Sequence, residues 1–281
     1  HMSLRDIRRH IGQLAIAGFA ADSIPTDLRL LAREFDLGGI ILFARNVVEP
    51  EQVADVARDA QTLARELPLW VSVDQEGGRV ARLKAPFTEW PPMMTLGRSG
   101  DEDLAERFAR ALAAELKAVG ISLDYTPVLD ILTNPKNPVI GDRALADRAD
   151  DVARLGRRII TTLQGAGIAA CGKHFPGHGD TSTDSHHELP LIEHGPDRIE
   201  GVELVPFRAA IEADVAAIMT AHILIPAYDS ERPATLSPAI VDTLLKQRLG
   251  YGGLVLSDDL EMKAISHRYG VPEATVGAIA A

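Results

Sequence analysis

The 281-residue sequence predicts an α/β fold, a (β/α)8 TIM-like barrel. Three observations point there. Short apolar runs alternate with longer segments of helical period along the chain. No block of consecutive strands interrupts the alternation, so the strands are expected to be parallel and joined by helical crossovers. The apolar content is mostly Ala, Leu, Ile and Val, with aromatics at only 5%, which suits helices packed on buried parallel strands better than an all-β sandwich.

In chain order, the expected strands are residues 13–18, 39–43, 69–74, 122–127, 168–174, 217–222 and 253–257. The helical patterns are residues 26–35, 49–66, 101–119, 149–165, 196–213, 237–249 and 272–281. Ser237-Pro238 places a capping residue before a first-turn proline, and Gly120, Gly165 and Gly250 close three helices. These are seven strand–helix units, so the eighth unit of a closed barrel is missing, and the native chain is expected to continue beyond Ala281 or to have the gap filled by another segment. An unfilled gap would leave two strand edges unpaired. A doubly wound open sheet is the runner-up; Ala17-Gly18-Phe19-Ala20 lacks the glycine-rich phosphate turn that usually follows its first strand. With no linker rich in Gly, Ser or Pro, residues 1–281 are expected to form a single barrel domain, the first two being a cloning scar.

Lys and Arg number 29 against 40 Asp and Glu, a net charge of 29 − 40 = −11 that repels phosphate backbones and argues against a nucleic-acid partner. Apolar runs stop well short of the roughly 18 residues of a membrane span; 38–43 ends at Arg45 and Asn46. The single cysteine, Cys171, forms no internal disulfide and fits a reducing compartment.

In such a barrel the working residues lie at the C-terminal ends of the strands. Those positions hold Asp74-Gln75-Glu76-Gly77-Gly78-Arg79, Asp130, Lys173-His174, His222 and Asp258-Asp259. Ionisable groups on apolar strands are costly to bury unless paired or used. The densest cluster runs from Lys173 through His174, His178, Asp180 and Asp184 to His186 and His187. It reads as a metal site, as an acid/base loop in which Asp184 orients His186, or as a polar surface loop. Glu76 is read as bracing the Gly77-Gly78 turn, Cys171 as core packing and His222 as unassigned.

The run KHFPGHGDTSTDSH at 173–186, with DQEGGRVAR at 74–82, NPVIGDR at 137–143 and SDDLEM at 257–262, resembles the bacterial β-N-acetylglucosaminidases of glycoside hydrolase family 3. The resemblance implies a retaining exo-hydrolase that removes terminal N-acetylglucosamine from peptidoglycan fragments in the cytoplasm during cell-wall recycling. It implies Asp258 as nucleophile, Asp184 and His186 as the acid/base dyad, and Asp74, Arg82, Arg143, Lys173 and His174 as holders of the sugar hydroxyls. No cofactor or metal, a small-molecule glycoside partner and a monomer or weak homo-oligomer are expected. Retaining glycosidases ordinarily use two carboxyl groups; a histidine acid suits the role because it titrates near neutrality and is attracted to an anionic nucleophile. Three alternatives stay open: a phosphorylase of the same family, a metal-dependent barrel hydrolase and a sugar-binding barrel. The metal reading is weakened by the absence of a His-x-His pair in 13–19.

Overall fold

A computed structural model describes residues 3–182 and 189–281. Among them, seven parallel strands form one curled sheet: β1 (Ile16–Ala17), β2 (Gly39–Leu42), β3 (Trp70–Val73), β6 (Leu123–Asp124), β7 (Ala169–Phe175), β8 (Ala217–Thr220) and β9 (Leu254–Ser257), paired in that order. Each falls within or overlaps a predicted strand. The register is parallel throughout, with Gly39 opposite Trp70 and Thr220 opposite Ser257. The added pair β4 (Gln75–Gly77) and β5 (Val80–Ala81) is an antiparallel hairpin after β3. Two and three residues are too few to show the alternation that marks a strand in sequence.

The helices α2 (Thr26–Phe35), α3 (Pro50–Gln61), α5 (Glu102–Ala118) and α6 (Ala149–Gly165) lie where helical period was expected. Asp101 caps α5 by accepting from the Asp103 and Leu104 amides at 2.8 and 3.1 Å. Val152, Leu155, Ile159, Ile160 and Leu163 bury one face of α6; full burial of each such side chain contributes roughly 1.5–3 kcal/mol. Helix α3 ends five residues before the predicted boundary at 66, where the Gln61 side chain bonds the Leu69 backbone in both directions, at 2.8 and 3.1 Å. The 196–213 segment is not one regular helix. It runs as α7 (Pro196–Arg198), a wider turn of π type at Ile199–Glu203, and α8 (Val205–Glu212), whose Pro206 has no N–H for the ladder. Residues Ala239–Arg248 also wind with π spacing. The sequence reading did not anticipate α1 (Leu4–His10), which buries no residue, α4 (Met93–Ser99) or α9 (Lys263–Tyr269); α10 (Val271–Ala280) completes the described chain.

Two apolar layers result. The larger lies between sheet and helices. The smaller fills the concave interior with Leu123, Tyr125, Cys171, Ala217 and Met219, packed by Ile16, Ile41, Trp70, Ala169 and Leu256. Alternate residues of a strand share a face. The interior parity therefore runs from Trp70 through Ser72 to Asp74, from Ala169 through Cys171 to Lys173, and from Leu256 to Asp258. Apolar side chains fill the floor, and charged ones begin at the C-terminal mouth.

Candidate active site

Lys173 is the centre of the mouth. Its side chain is 2% exposed, and its Nζ lies 2.9 Å from Asp74 and 2.7 Å from Glu76. Arg143 then donates to both oxygens of Glu76, at 3.0 and 2.8 Å, in the two-pronged geometry that fixes a carboxylate most firmly. Arg82 approaches the other Asp74 oxygen at 3.7 Å. Burial pushes the Glu76 carboxyl up, but Lys173 and Arg143 more than offset it and hold it well below its ordinary value. Burial opposes the charge on Lys173 as well, and Asp74 and Glu76 overcome it to leave the ammonium more basic than usual. Lys173 and Arg143, expected to hold sugar hydroxyls, are here the counter-ions of buried carboxylates. Glu76, expected only to brace a turn, is the carboxylate that joins them.

His174 is oriented from behind. Asp130, fully buried, accepts from His174 Nδ1 at 2.7 Å, from the His174 amide at 3.1 Å and from the His178 amide at 2.7 Å. That places a proton on His174 Nδ1 and turns Nε2 away from Asp130. Desolvation raises the Asp130 carboxyl, and His174 pulls it back below its usual range. The neighbouring His178 is held to about 4 by burial, so it is a neutral packing and hydrogen-bonding group. Two glycines let this turn approach its neighbours. Gly177 has φ 135°, a region that L side chains avoid, and a Cβ on Gly179 would fall 1.6 Å from the Ile131 carbonyl oxygen.

Asp258 follows β9 directly, its amide donating to the Thr220 carbonyl at 3.2 Å. Its carboxylate accepts from the Asp259 amide at 2.8 Å. Burial works against ionisation of Asp258, but His174, His222, the Asp259 amide and Lys173 together hold it below the ordinary carboxylate value, so it is an anion at neutral pH. Asp259 is exposed and turns its carboxylate to the Glu261 amide, away from the interior. Asp184 and His186 lie outside the described residues.

Three further residues of this region were given no role by the sequence. Asp130 stood on the predicted rim without a role. His222, at the end of β8, is 1% exposed and engaged on both ring nitrogens. Asp124 is fully buried beneath the β4–β5 hairpin; one oxygen accepts from the Gln75 amide at 2.9 Å and the other has no partner among the described residues. Burial pushes its carboxyl well above the ordinary 3.8. The folded chain therefore binds this proton more tightly than the unfolded chain. The corresponding stability is complete below the ordinary carboxyl range and is lost as pH rises towards the folded value. Asp124→Asn cannot ionise, so its melting temperature is expected to fall less from acid to mildly alkaline pH. At the alkaline end we expect a gain of about 1–3 kcal/mol, the usual cost of a buried polar group left unpaired. Parallel thermal melts of the two proteins across pH check this.

Cys171 is buried beneath Lys173, and desolvation pushes its thiol to about 12, which fits packing and not nucleophilic chemistry. Among the described residues, the one cluster of three potential metal ligands is His10, Asp36 and Glu66. Asp36 precedes β2 and Glu66 precedes β3, so this cluster is at the end of the sheet opposite the mouth.

The chain as a whole is matched in known proteins. The family model for the glycosyl hydrolase family 3 N-terminal domain matches residues 6–281. A β-hexosaminidase A from Pseudoalteromonas piscicida is 37% identical over 92% of this chain and 46% of its own length. A β-hexosaminidase from Thiobacillus denitrificans is 40% identical over 86% of this chain and 68% of its own. The structure of a glycoside hydrolase family 3 β-N-acetylglucosaminidase from Paenibacillus sp. superposes with a TM-score of 0.95 at 47% identity, covering 100% of this chain and 53% of that one. NagZ from Neisseria gonorrhoeae gives 0.86 at 35% identity, over 94% and 78%. The chain spans about half the length of the Pseudoalteromonas and Paenibacillus proteins. These matches show that the chain belongs to glycoside hydrolase family 3, in the region of its N-terminal domain.

Proposed function

We propose that this chain carries the catalytic centre of a retaining exo-β-N-acetylglucosaminidase. The observation that carries this reading is the pairing, at one mouth, of an anionic Asp258 with a buried lattice of Asp74, Lys173, Glu76 and Arg143. The lattice offers fixed donors and acceptors at close quarters, which is what a sugar's vicinal hydroxyls require. Asp258 attacks the anomeric carbon from the sheet side and forms a covalent glycosyl-enzyme, which a second displacement resolves. His174, with Nδ1 turned to Asp130, and Arg82 beside Asp74 complete the hydroxyl contacts. Asp184 and His186 act as the acid/base pair, the carboxylate orienting the imidazole that protonates the leaving oxygen. The β-hexosaminidase names of the relatives support the substrate class. Peptidoglycan fragments are the natural source of such termini, and the cytoplasm, where Cys171 stays reduced, is the compartment we assign. Among the described residues no helix is long and apolar enough to cross a membrane.

Release of p-nitrophenol from its N-acetyl-β-glucosaminide, followed with and without inorganic phosphate, tests the reading and its acceptor together. The expected result is N-acetylglucosamine as product, at a rate that phosphate leaves unchanged. N-acetylglucosamine 1-phosphate as product would assign a phosphorylase; inertness towards the glycoside would remove the reading.

A further inference from the structure

His222 is buried at the end of β8, where no sugar hydroxyl is assigned to it, and both of its ring nitrogens are used. Nε2 lies 2.8 Å from the backbone carbonyl oxygen of Asp259, and Nδ1 lies 2.8 Å from Thr235 Oγ1. A carbonyl oxygen only accepts, so Nε2 must carry a proton. Thr235 has one hydroxyl proton and two possible acceptors, His222 Nδ1 and the Ala221 carbonyl at 2.9 Å. If the proton goes to Nδ1, the imidazole is neutral, and Thr220 Oγ1, at 3.2 Å, can donate to Thr235 in turn. If it goes to Ala221, the ring carries protons on both nitrogens. The Nε2–H···O=C bond to Asp259 is the same in both arrangements.

The Asp259 residue so held is the one whose amide grips the Asp258 carboxylate at 2.8 Å. Its carbonyl also accepts from the Met262 amide at 3.2 Å, while its side chain is turned to the Glu261 amide and gives the turn no purchase on the barrel. Among the described residues, His222 is the side chain that hydrogen-bonds this turn to the end of β8. We infer that His222 is a positioning residue for the nucleophile: through the Asp259 backbone it fixes the direction in which the Asp258 carboxylate faces the anomeric carbon. The inference rests on the reading of Asp258 as nucleophile and adds a requirement to it, a donor at the place of His222 Nε2. A carboxylate misdirected by about an ångström loses rate on the order of 10²-fold without loss of substrate binding.

Two variants and one spectrum test it. His222→Phe keeps the ring volume and removes the donor; kcat for N-acetylglucosaminide cleavage is expected to fall on the order of 10²-fold, with the inhibition constant of N-acetylglucosamine unchanged. His222→Gln returns an N–H to the same reach and should recover most of that loss. In the wild-type protein, nitrogen-15 NMR of the assigned His222 ring should show the proton on Nε2, a reading that does not depend on whether any variant folds. A wild-type kcat in His222→Phe, equal losses of kcat and inhibitor affinity, no recovery in His222→Gln, or a bare Nε2 in the spectrum would each overturn the inference. Failure of the nucleophile reading shows itself differently, as activity that survives in Asp258→Asn.

Discussion

Asp258→Asn is expected to abolish turnover of every glycoside the protein cleaves, with good or poor leaving groups alike. Among the described residues the other carboxylates near the mouth are engaged elsewhere: Asp259 is exposed and held by the Glu261 amide, Asp74 by Lys173 and Arg82, and Glu76 by Lys173 and Arg143. The loss should be on the order of 10⁶-fold in kcat, the scale seen when a covalent nucleophile is removed. Because an asparagine is close in shape and its neighbours His174, His222 and Lys173 are themselves held elsewhere, the fold should be retained. Steady-state assays with an aryl N-acetylglucosaminide and an alkyl one, alongside a thermal melt, separate loss of chemistry from loss of structure.

Glu76→Gln carries the largest expected effect on stability. Glu76 is 1% exposed and is the shared partner of Lys173 and Arg143, themselves 2% and 11% exposed. Removing its charge leaves two cations close together with Asp74 as the remaining counter-charge. Breaking a buried pair in this way costs about 3–5 kcal/mol. In domains approaching this size each kcal/mol lowers the melting temperature by roughly 2–4 °C. Activity should fall with it, since the same two cations make the proposed sugar contacts. The sign of the pH dependence follows from the same pairing. Glu76 is held below its ordinary value of 4.5, so its contribution is complete above that pH and is lost as the solution is acidified through the folded value. Glu76→Gln should therefore lose the stability difference between neutral and acid pH that the wild type shows. Calorimetry at both pH values measures it, and a variant as stable as the wild type would mean that Lys173 and Arg143 are satisfied without Glu76.

The seven parallel strands were legible because burial on both faces leaves an unmistakable apolar run, as in Gly39–Leu42 or Ala217–Thr220. The polar ends of those runs located the mouth for the same reason: a Lys at the end of an apolar strand has to be explained. What stayed hidden depends on pairing across long sequence distances. Glu76 and Arg143 are 67 residues apart, and His174 and Asp130 are 44 apart. Nothing in the local sequence distinguishes an aspartate that orients a histidine from one that faces water. Asp124 was missed although it interrupts the expected strand 122–127, because its unpaired oxygen and its burial become visible only once the hairpin over it is placed. Helix α1 was missed although Leu4, Ile7 and Ile11 recur at helical spacing, and it buries none of its side chains.

The most direct measurement is covalent trapping. A fluorinated N-acetylglucosaminyl donor that forms the glycosyl-enzyme quickly and releases it slowly should leave one labelled peptide after digestion, and mass spectrometry should locate the sugar on Asp258. The label should appear at the rate at which activity is lost and be absent from Asp258→Asn. A label on Asp259 or on any other residue, or inactivation without a covalent adduct, would contradict the assignment of Asp258 as the group that carries the reaction.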